Sequence, residues 1–578
     1  MSDSPATPRP DASSAGTSGE RRRLPEPLVA VLPAVAAVVL YGGALGLWWT
    51  WDELIYLRVA AEHSPAAYLL SPAVYRELSP AFFFPGALLS FDLDLSLGGA
   101  STVVFFAHQL AVLALAAALL ARLVRRWLPA GAAVATAVVF LVGVPVPTVV
   151  AELMTRHYLD GLALALGSAH FFVASVERRS RALSWTAAGL AFAAFSCKEV
   201  FVPLPLVLGT LPAGRLRDRL KALVPFAPAV AVYGVWRQLM LSGYLGAYAD
   251  DATRLEAAGR RVVALGRQFL GAALGDPDPG RLALAAAVAT LALLPVLGRS
   301  SSRWLAAALA VAVAGPLVPV AERVEPRFGL LPWLLVSLLV GTSVAAWREK
   351  GRLGRVAGAL VLGGALAVAL PPSRDAWKAL ERRASRVRAE GRAFLEGSAG
   401  ELLFRPLGDR EFHRNLAWMR RNLLGRQDPP PRVAWDEAFF CEADASALRA
   451  RRYSEDAGSV LALGESAEKA CESLRRRTRE APEMAVRIAY GDQVLSWQLE
   501  PAGPGSWSLV EGEDFFVFPV PARGGIGFAL PRRLVVRARW DRPDGTVSYG
   551  PPLVLEVRGD SGEVVWRASG ASRLPAGP

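Results

Sequence analysis

Residues 101–126 read STVVFFAHQLAVLALAAALLARLVRR. A stretch of about 20 mainly apolar residues is long enough, as a helix, to cross a hydrocarbon core of about 30 Å. It closes on Arg122, Arg125 and Arg126, and arginine at the end of such a run marks the cytoplasmic side of a span. Working outward, the same unit recurs. Apolar runs lie at about 28–49, 131–149, 159–176, 182–197, 200–212, 222–241, 281–297, 304–320, 328–347 and 356–371. With 101–121 they make eleven expected transmembrane helices in an α-helical polytopic membrane domain over residues 27–372. The chain has 578 residues, 53% of them apolar, and a mean hydropathy of +0.30, but that hydropathy is confined to the first two thirds.

Short Arg/Lys clusters follow every second span. Arg21–Arg23 precede the first, and others stand at 122–126, 178–181, 215–221, 299–303 and 348–355. All fall on one side if the N-terminus is cytoplasmic. An odd number of spans then places the C-terminal third outside the cytoplasm. Residues 1–26 read as a disordered cytoplasmic tail, rich in Ser, Pro, Gly and Ala. The first run is too long for a signal peptide and lacks a clear cleavage site, so it reads as an uncleaved span. Residues 373–482 read as a charged, mainly helical segment, and 483–578 as a β-rich domain. In the latter, Val486–Tyr490 and Val494–Trp497, Leu534–Trp540 before Pro543-Asp544-Gly545, and Leu553–Val557 with Val564–Trp566 flank turn signals. The three cysteines have no zinc-type spacing. An extracytoplasmic location permits a Cys441–Cys471 disulfide; free thiols are the alternative. The net charge of +12 does not indicate nucleic-acid binding, because the basic residues are scattered between apolar runs and form no patch on a soluble module.

The outward loops should be poor in charge, yet five groups sit hard against span ends. Charged groups at membrane depth are costly and face a cavity, a partner or a substrate path. Asp52-Glu53 opens the long first outer loop, 50–100, where a shielded carboxylate can serve as a general base; the bland reading is a solvated acidic loop. Glu152, Arg156, His157 and Asp160 lie between spans three and four. There Arg can grip phosphate bidentately or simply pair with Asp160 four residues on. Lys198-Glu199 interrupts an apolar hairpin, either as a self-neutralising pair or as a phosphate-binding lysine beside its acid. Trp236-Arg237 ends a span, where Arg commonly snorkels. Glu322, Arg323, Glu325 and Arg327 place two arginines on the outward side, against the charge bias, as an anion site would. The run Phe82-Phe83-Phe84 reads as interfacial packing, and His63, His108, His170 and His413 as structural.

Trp51-Asp52-Glu53 after span one, Pro147 to Glu152 with Arg156-His157-Tyr158-Leu159-Asp160, Ser196-Cys197-Lys198-Glu199 before Pro203 and Pro205, Trp236-Arg237, and an imperfect late Glu322-Arg323 or Arg327-Phe328 element occur in that order. Taken together this set resembles the GT-C superfamily of membrane glycosyltransferases, in particular the protein O-mannosyltransferase and aminoarabinose-transferase group. The resemblance covers about residues 28–371. It implies a bacterial inner-membrane enzyme that takes a sugar from a polyprenyl-phosphate donor to a hydroxyl-bearing acceptor at the outer face. Asp52 would be the base, assisted by Glu53. Arg156, His157, Lys198, Arg237 and Arg323 or Arg327 would hold the donor phosphate, with Glu152, Asp160 and Glu199 in support. The resemblance leaves a divalent metal open, and it leaves sugar and acceptor unnamed. The competing reading is a non-catalytic scaffold or transporter-like protein whose outer domain binds a partner. Against it, the chain shows no internal repeat of the kind transporters carry, and its acidic pair stands at a span end rather than mid-span.

Overall fold

The computed structural model describes residues 25–50, 52–79, 82–241, 279–297, 326–404, 406–436, 449–462, 467–478 and the strand-bearing parts of 485–568. The N-terminal tail, the expected span 304–320, Arg323 and Cys441 lie outside the described residues.

The described residues of the first two thirds are mostly helical. Among them, six helical segments are long and apolar enough to cross a membrane: Glu26–Gly46, Thr102–Val124, Leu153–Arg178, Pro279–Val296, Pro326–Arg348 and the apolar part of Gly351–Glu396. A seventh crossing arises if Ala130–Leu141 and Pro145–Ala151, bent by 64°, count as one span. The two short spans expected at 182–197 and 200–212 are the helices Arg181–Cys197, which keeps its expected length, and Leu204–Thr210, which is only seven residues; the expected span 222–241 is a helix over Phe226–Leu241. Pro203 and Pro205 hold the middle one to two turns.

The bent pair shows how sequence dictates local form. Pro145 has no N–H, so the carbonyl of Leu141 loses its helical partner. The Tyr41 hydroxyl supplies the missing donor at 2.6 Å. The indole of Trp333 donates to the carbonyls of Val139 and Phe140, both at 3.0 Å, and it fits because Gly143 has no side chain there. The next break, between Ala151 and Arg156, is closed by the buried Gln109, whose amide donates to the carbonyls of Val149 and Glu152, and by Thr155, which also donates to Glu152. These two breaks set the adjoining ends of the third and fourth spans, where the site lies.

The segment 50–100, a long loop whose aromatic content suggests short helices at the membrane interface, is mostly helical among its described residues. It forms Glu53–Glu62 (α2, with Glu26–Tyr41 as α1), Pro65–Leu70 (α3), Pro72–Leu78 (α4) and Pro85–Gly98 (α5). Prolines at the first position start three of them. In chain order the later helices used below are Thr102–Val124 (α6), Ala130–Leu141 (α7), Pro145–Ala151 (α8), Arg156–Arg178 (α9), Arg181–Cys197 (α10), Leu204–Thr210 (α11), Leu216–Leu223 (α12) and Phe226–Leu241 (α13).

The C-terminal third departs from expectation at its start. Gly351–Glu396 is one continuous helix of 46 residues, about 70 Å long at ~1.5 Å per residue. It runs from the last span into the charged region without stopping at Pro371-Pro372. The mainly helical segment expected over 373–482 also holds a four-stranded sheet of order β2-β1-β3-β4, formed by Glu401–Phe404 (β1), Arg432–Ala434 (β2), Arg449–Ser454 (β3) and Ser459–Ala462 (β4); β1 pairs parallel with both neighbours. Beyond 483 the expected antiparallel strands are present. Ala485–Gly491 pairs with Val494–Glu500, Arg533–Asp541 with Val547–Tyr549 across the Pro543–Gly545 turn, and Leu553–Arg558 with Glu563–Ala568. They belong to a six-stranded and a three-stranded sheet.

This region sits directly on the outer helices. The indole of Trp418 donates to Glu62 at the end of α2 (2.5 Å), Arg388 donates to the carbonyl of Gly46 (3.0 Å), and Trp48 lies against Gly391.

Candidate active site

Glu53 and Asp52 part company at once. Glu53 is fully buried. Its Oε2 accepts the N–H of Thr50 and its Oε1 that of Leu153, both at 2.5 Å. It therefore ties the first outer segment to the start of span four, 100 residues on. Burial pushes its carboxyl up to about 8, against the pull of those two donors. A carboxyl so enclosed does not reach an acceptor, so the assisting catalytic role expected for Glu53 becomes one of positioning. Asp52 is exposed at the N-terminus of α2, and its backbone carbonyl accepts from Ile55 and Tyr56.

Tyr56, one turn on, faces the same space. Burial is the main force pushing its hydroxyl up; Asp52 acts in the same sense and Arg327 against it. Those two charges thus lie within electrostatic reach of one hydroxyl, from positions 275 residues apart. The Tyr56 ring stacks on Phe84 (5.5 Å between centroids, 11° between planes), and Phe84 stacks on His157 (5.5 Å, 21°). His157 in turn lies within electrostatic reach of Lys198 and Arg327.

Lys198 stands in the break between α10 and the turn Glu199–Phe201. Its Nζ lies over three rings, Phe82 at 5.1 Å and Phe84 and Tyr158 at 5.5 Å. Lys198 and Glu199 make no direct ion pair. Glu199 accepts from Arg237 Nε at 2.6 Å and from the backbone of Phe83 at 3.2 Å, and acts on Lys198 only through its field. The Lys198 ammonium makes no hydrogen bond or ion pair among the described residues. Its environment is one of aromatic faces, which attract a cation without neutralising it. Burial lowers its ammonium to about 8, Glu199 raises it, and Arg327 lowers it further.

Arg327, in the turn Pro326–Gly329, lies 3.7 Å from Glu152, with both side chains about 15% exposed. Arg237 is buried against Glu199 and so holds the Lys198 turn to α13, rather than snorkelling. Asp160 is bonded to Ser90 and lies near Arg156 and His108.

Arg156 requires correction. Read as a phosphate fork, it is completely buried. Nη1 bonds Asp94 at 2.5 Å and both oxygens of Ser90, Nη2 the carbonyl of Phe105 at 2.7 Å, and Nε the amide oxygen of Gln109 at 3.3 Å. Its guanidinium also lies against the rings of Phe91 and Phe105, 4.8 and 5.4 Å from their centroids. No donor faces the aromatic box, so Arg156 positions the start of α9. Its partner Asp94, which also contacts His108 at 2.7 Å, was not foreseen, because it lies 62 residues before Arg156 in the long first segment, where no spacing links the two. Phe82, Phe84, Tyr56 and Tyr158 were not foreseen as site residues either; the Phe82–Phe84 run was visible but read as packing. Replacing Arg156 by methionine leaves the buried Asp94 carboxylate with only His108 as a partner, which costs up to about 3–5 kcal/mol. The expected result is loss of monodisperse protein on size exclusion in detergent. Asp94→Asn with Arg156→Met together should recover part of it.

Among the described residues, no three His, Cys, Asp or Glu side chains converge as a metal ion requires, and no step below is routed through a metal. No protein-family model matches the chain, and no curated protein matches it in sequence.

Proposed function

We propose that this protein is a membrane glycosyltransferase of GT-C type that uses a polyprenyl-phosphate sugar. The observation that carries the reading is the Lys198 ammonium. It has no ion-pair partner among the described residues and is held in an aromatic box beside Arg327 and His157, with Asp52 across the Tyr56 hydroxyl. Segments around 52, 157, 198 and 327 must fold together to make it. One side offers cations to a phosphate, the other a solvent-facing carboxylate to a hydroxyl.

In the reaction the acceptor oxygen attacks the anomeric carbon and the bond from that carbon to the phosphate oxygen breaks. Asp52 takes the acceptor's proton. The lipid phosphate leaves with the bonding pair, and Lys198 and Arg327 meet the charge that develops on it. Glu53 holds Asp52 in register with span four, the Glu199–Arg237 pair holds Lys198, and Arg156 holds the start of α9.

The same reading takes up the eleven-span topology, with a cytoplasmic N-terminus and an outer C-terminal region in the bacterial inner membrane. Two observations favour it. Cys471 is disulfide-bonded, as an oxidising compartment permits. The C-terminal region also rests on α2, the helix that Asp52 initiates, at the Trp418–Glu62 contact, which suits a domain that presents the acceptor. The test is transfer by purified protein from a panel of polyprenyl-phosphate sugars. One donor should yield lipid phosphate in step with glycosylated product. No turnover with any donor, together with no donor-induced thermal shift, would return the scaffold reading.

A further inference from the structure

At the opposite end of span four from Glu53, the chain turns from α9 to α10 through Arg178-Arg179-Ser180-Arg181. Arg179 adopts a left-handed backbone, φ 50°, which is unfavourable for a side chain of that type. The Ser180 hydroxyl caps α10 by accepting from Leu183. Between this turn and α12 with the Val224-Pro225 link that follows it lies a cavity of about 600 Å³. Three cations line it, Arg179, Arg181 and Lys221, with one acid, Asp218. None of the three cations makes a hydrogen bond or ion pair among the described residues. Arg219, by contrast, is bonded to the carbonyls of Ala213 and Gly214.

The outer rim is apolar. Trp185 and Val224 line the cavity and are 58% and 66% exposed, and Leu216 and Leu220 on α12 are 57% and 56% exposed. In a chain of this kind, such exposure means contact with lipid tails. Cations inside, with acyl-facing side chains and an indole at the rim, match one amphiphile: an anionic head above hydrocarbon chains. A soluble anion would have no use for the rim.

We propose that this cavity binds the phosphodiester headgroup of an anionic phospholipid, with its chains lying along Trp185, Val224 and α12. The site is separate from the aromatic box and does not depend on the transferase reading. Topology-marking charge alone would explain the basic residues, but it would not need a cavity.

The experiment uses the full chain in detergent. Retained lipid is counted by native mass spectrometry after exchange with phosphatidylglycerol, phosphatidylcholine or glycerol phosphate. Wild type should retain phosphatidylglycerol preferentially. The variant Arg179→Gln/Arg181→Gln/Lys221→Gln should lose that preference by roughly fivefold per cation, on the order of 100-fold in all. Lys350→Gln/Arg352→Gln/Arg355→Gln, with the same charge loss away from the cavity, should keep it. Brominated phosphatidylglycerol should quench wild-type fluorescence more than that of Trp185→Phe, a measurement that stands even if the triple variant fails to fold. Equal loss in the control triple, glycerol phosphate bound as tightly as the lipid, or quenching unchanged in Trp185→Phe would each overturn the proposal.

Discussion

Replacing Lys198 by methionine is expected to lower sugar transfer from a polyprenyl-phosphate donor by about 10²–10³-fold, the usual effect of removing one positioned group that meets charge in a transition state. Methionine keeps the length and the apolar stem, so Phe82, Phe84 and Tyr158 keep a neighbour of similar shape. The loss should therefore appear in turnover and not in the melting temperature. The pH profile offers a second, independent check. Burial lowers the Lys198 ammonium to about 8. The charged form is present below that value and absent above it, so kcat/KM for the donor should fall as pH rises through about 8. Lys198→Arg stays charged throughout, so its profile should lack that alkaline limb, whatever it loses in geometry. A methionine variant with wild-type turnover, or a wild-type profile flat well above 8, would remove Lys198 from donor binding.

Why Lys198 was visible in the sequence and Arg156 misleading comes down to burial. A charge flanked by apolar residues announces a cost, and at 52 and 198 that rule pointed at an exposed carboxylate and at a part-buried ammonium with no ion-pair partner among the described residues. At 156 the same rule applied, but the compensating acid, Asp94, lies 62 residues earlier in Pro85–Gly98, where Ser90, Asp92, Asp94 and Ser96 are mixed among apolar residues and nothing singles one of them out. Spacing could offer only Asp160 as a partner. The aromatic box was hidden for a related reason: Phe82 and Phe84 in one segment and Tyr158 in another become a box only when α5, α9 and α10 pack together. Outer spans, hairpins and their turns were legible because they repeat a local period.

The remaining misses follow the same logic. Strands β1 and β2 have four and three residues, too few to show alternation, and their parallel pairing depends on chain far away. The helix Gly351–Glu396 passes through Pro371-Pro372 where a break was expected. Each proline removes one backbone donor, and Pro372 is buried on a helix that packs against α8, so tertiary contact offsets the local cost.

Asp52→Asn should abolish transfer almost completely, by about 10²–10⁴-fold, the range for loss of a general base, while leaving donor affinity within about twofold of wild type by the same reasoning that separates base from phosphate contacts. The side chain is exposed, and the N-terminus of α2 is held by Glu53, not by Asp52. Asparagine is isosteric and caps a helix equally well, so the fold should be unaffected. Glu53→Gln makes the informative contrast. Its amide nitrogen must face one of two backbone N–H groups that now find a carboxylate oxygen, leaving a buried donor unpaired at about 1–3 kcal/mol. That variant should melt earlier and lose turnover only in proportion to misfolded protein. If instead Glu53→Gln is stable and inactive while Asp52→Asn is active, the proton goes to the inner carboxyl. Thr50 and Leu153 would then have to release it during turnover, and the solvent-facing acid would be no more than the end of a helix.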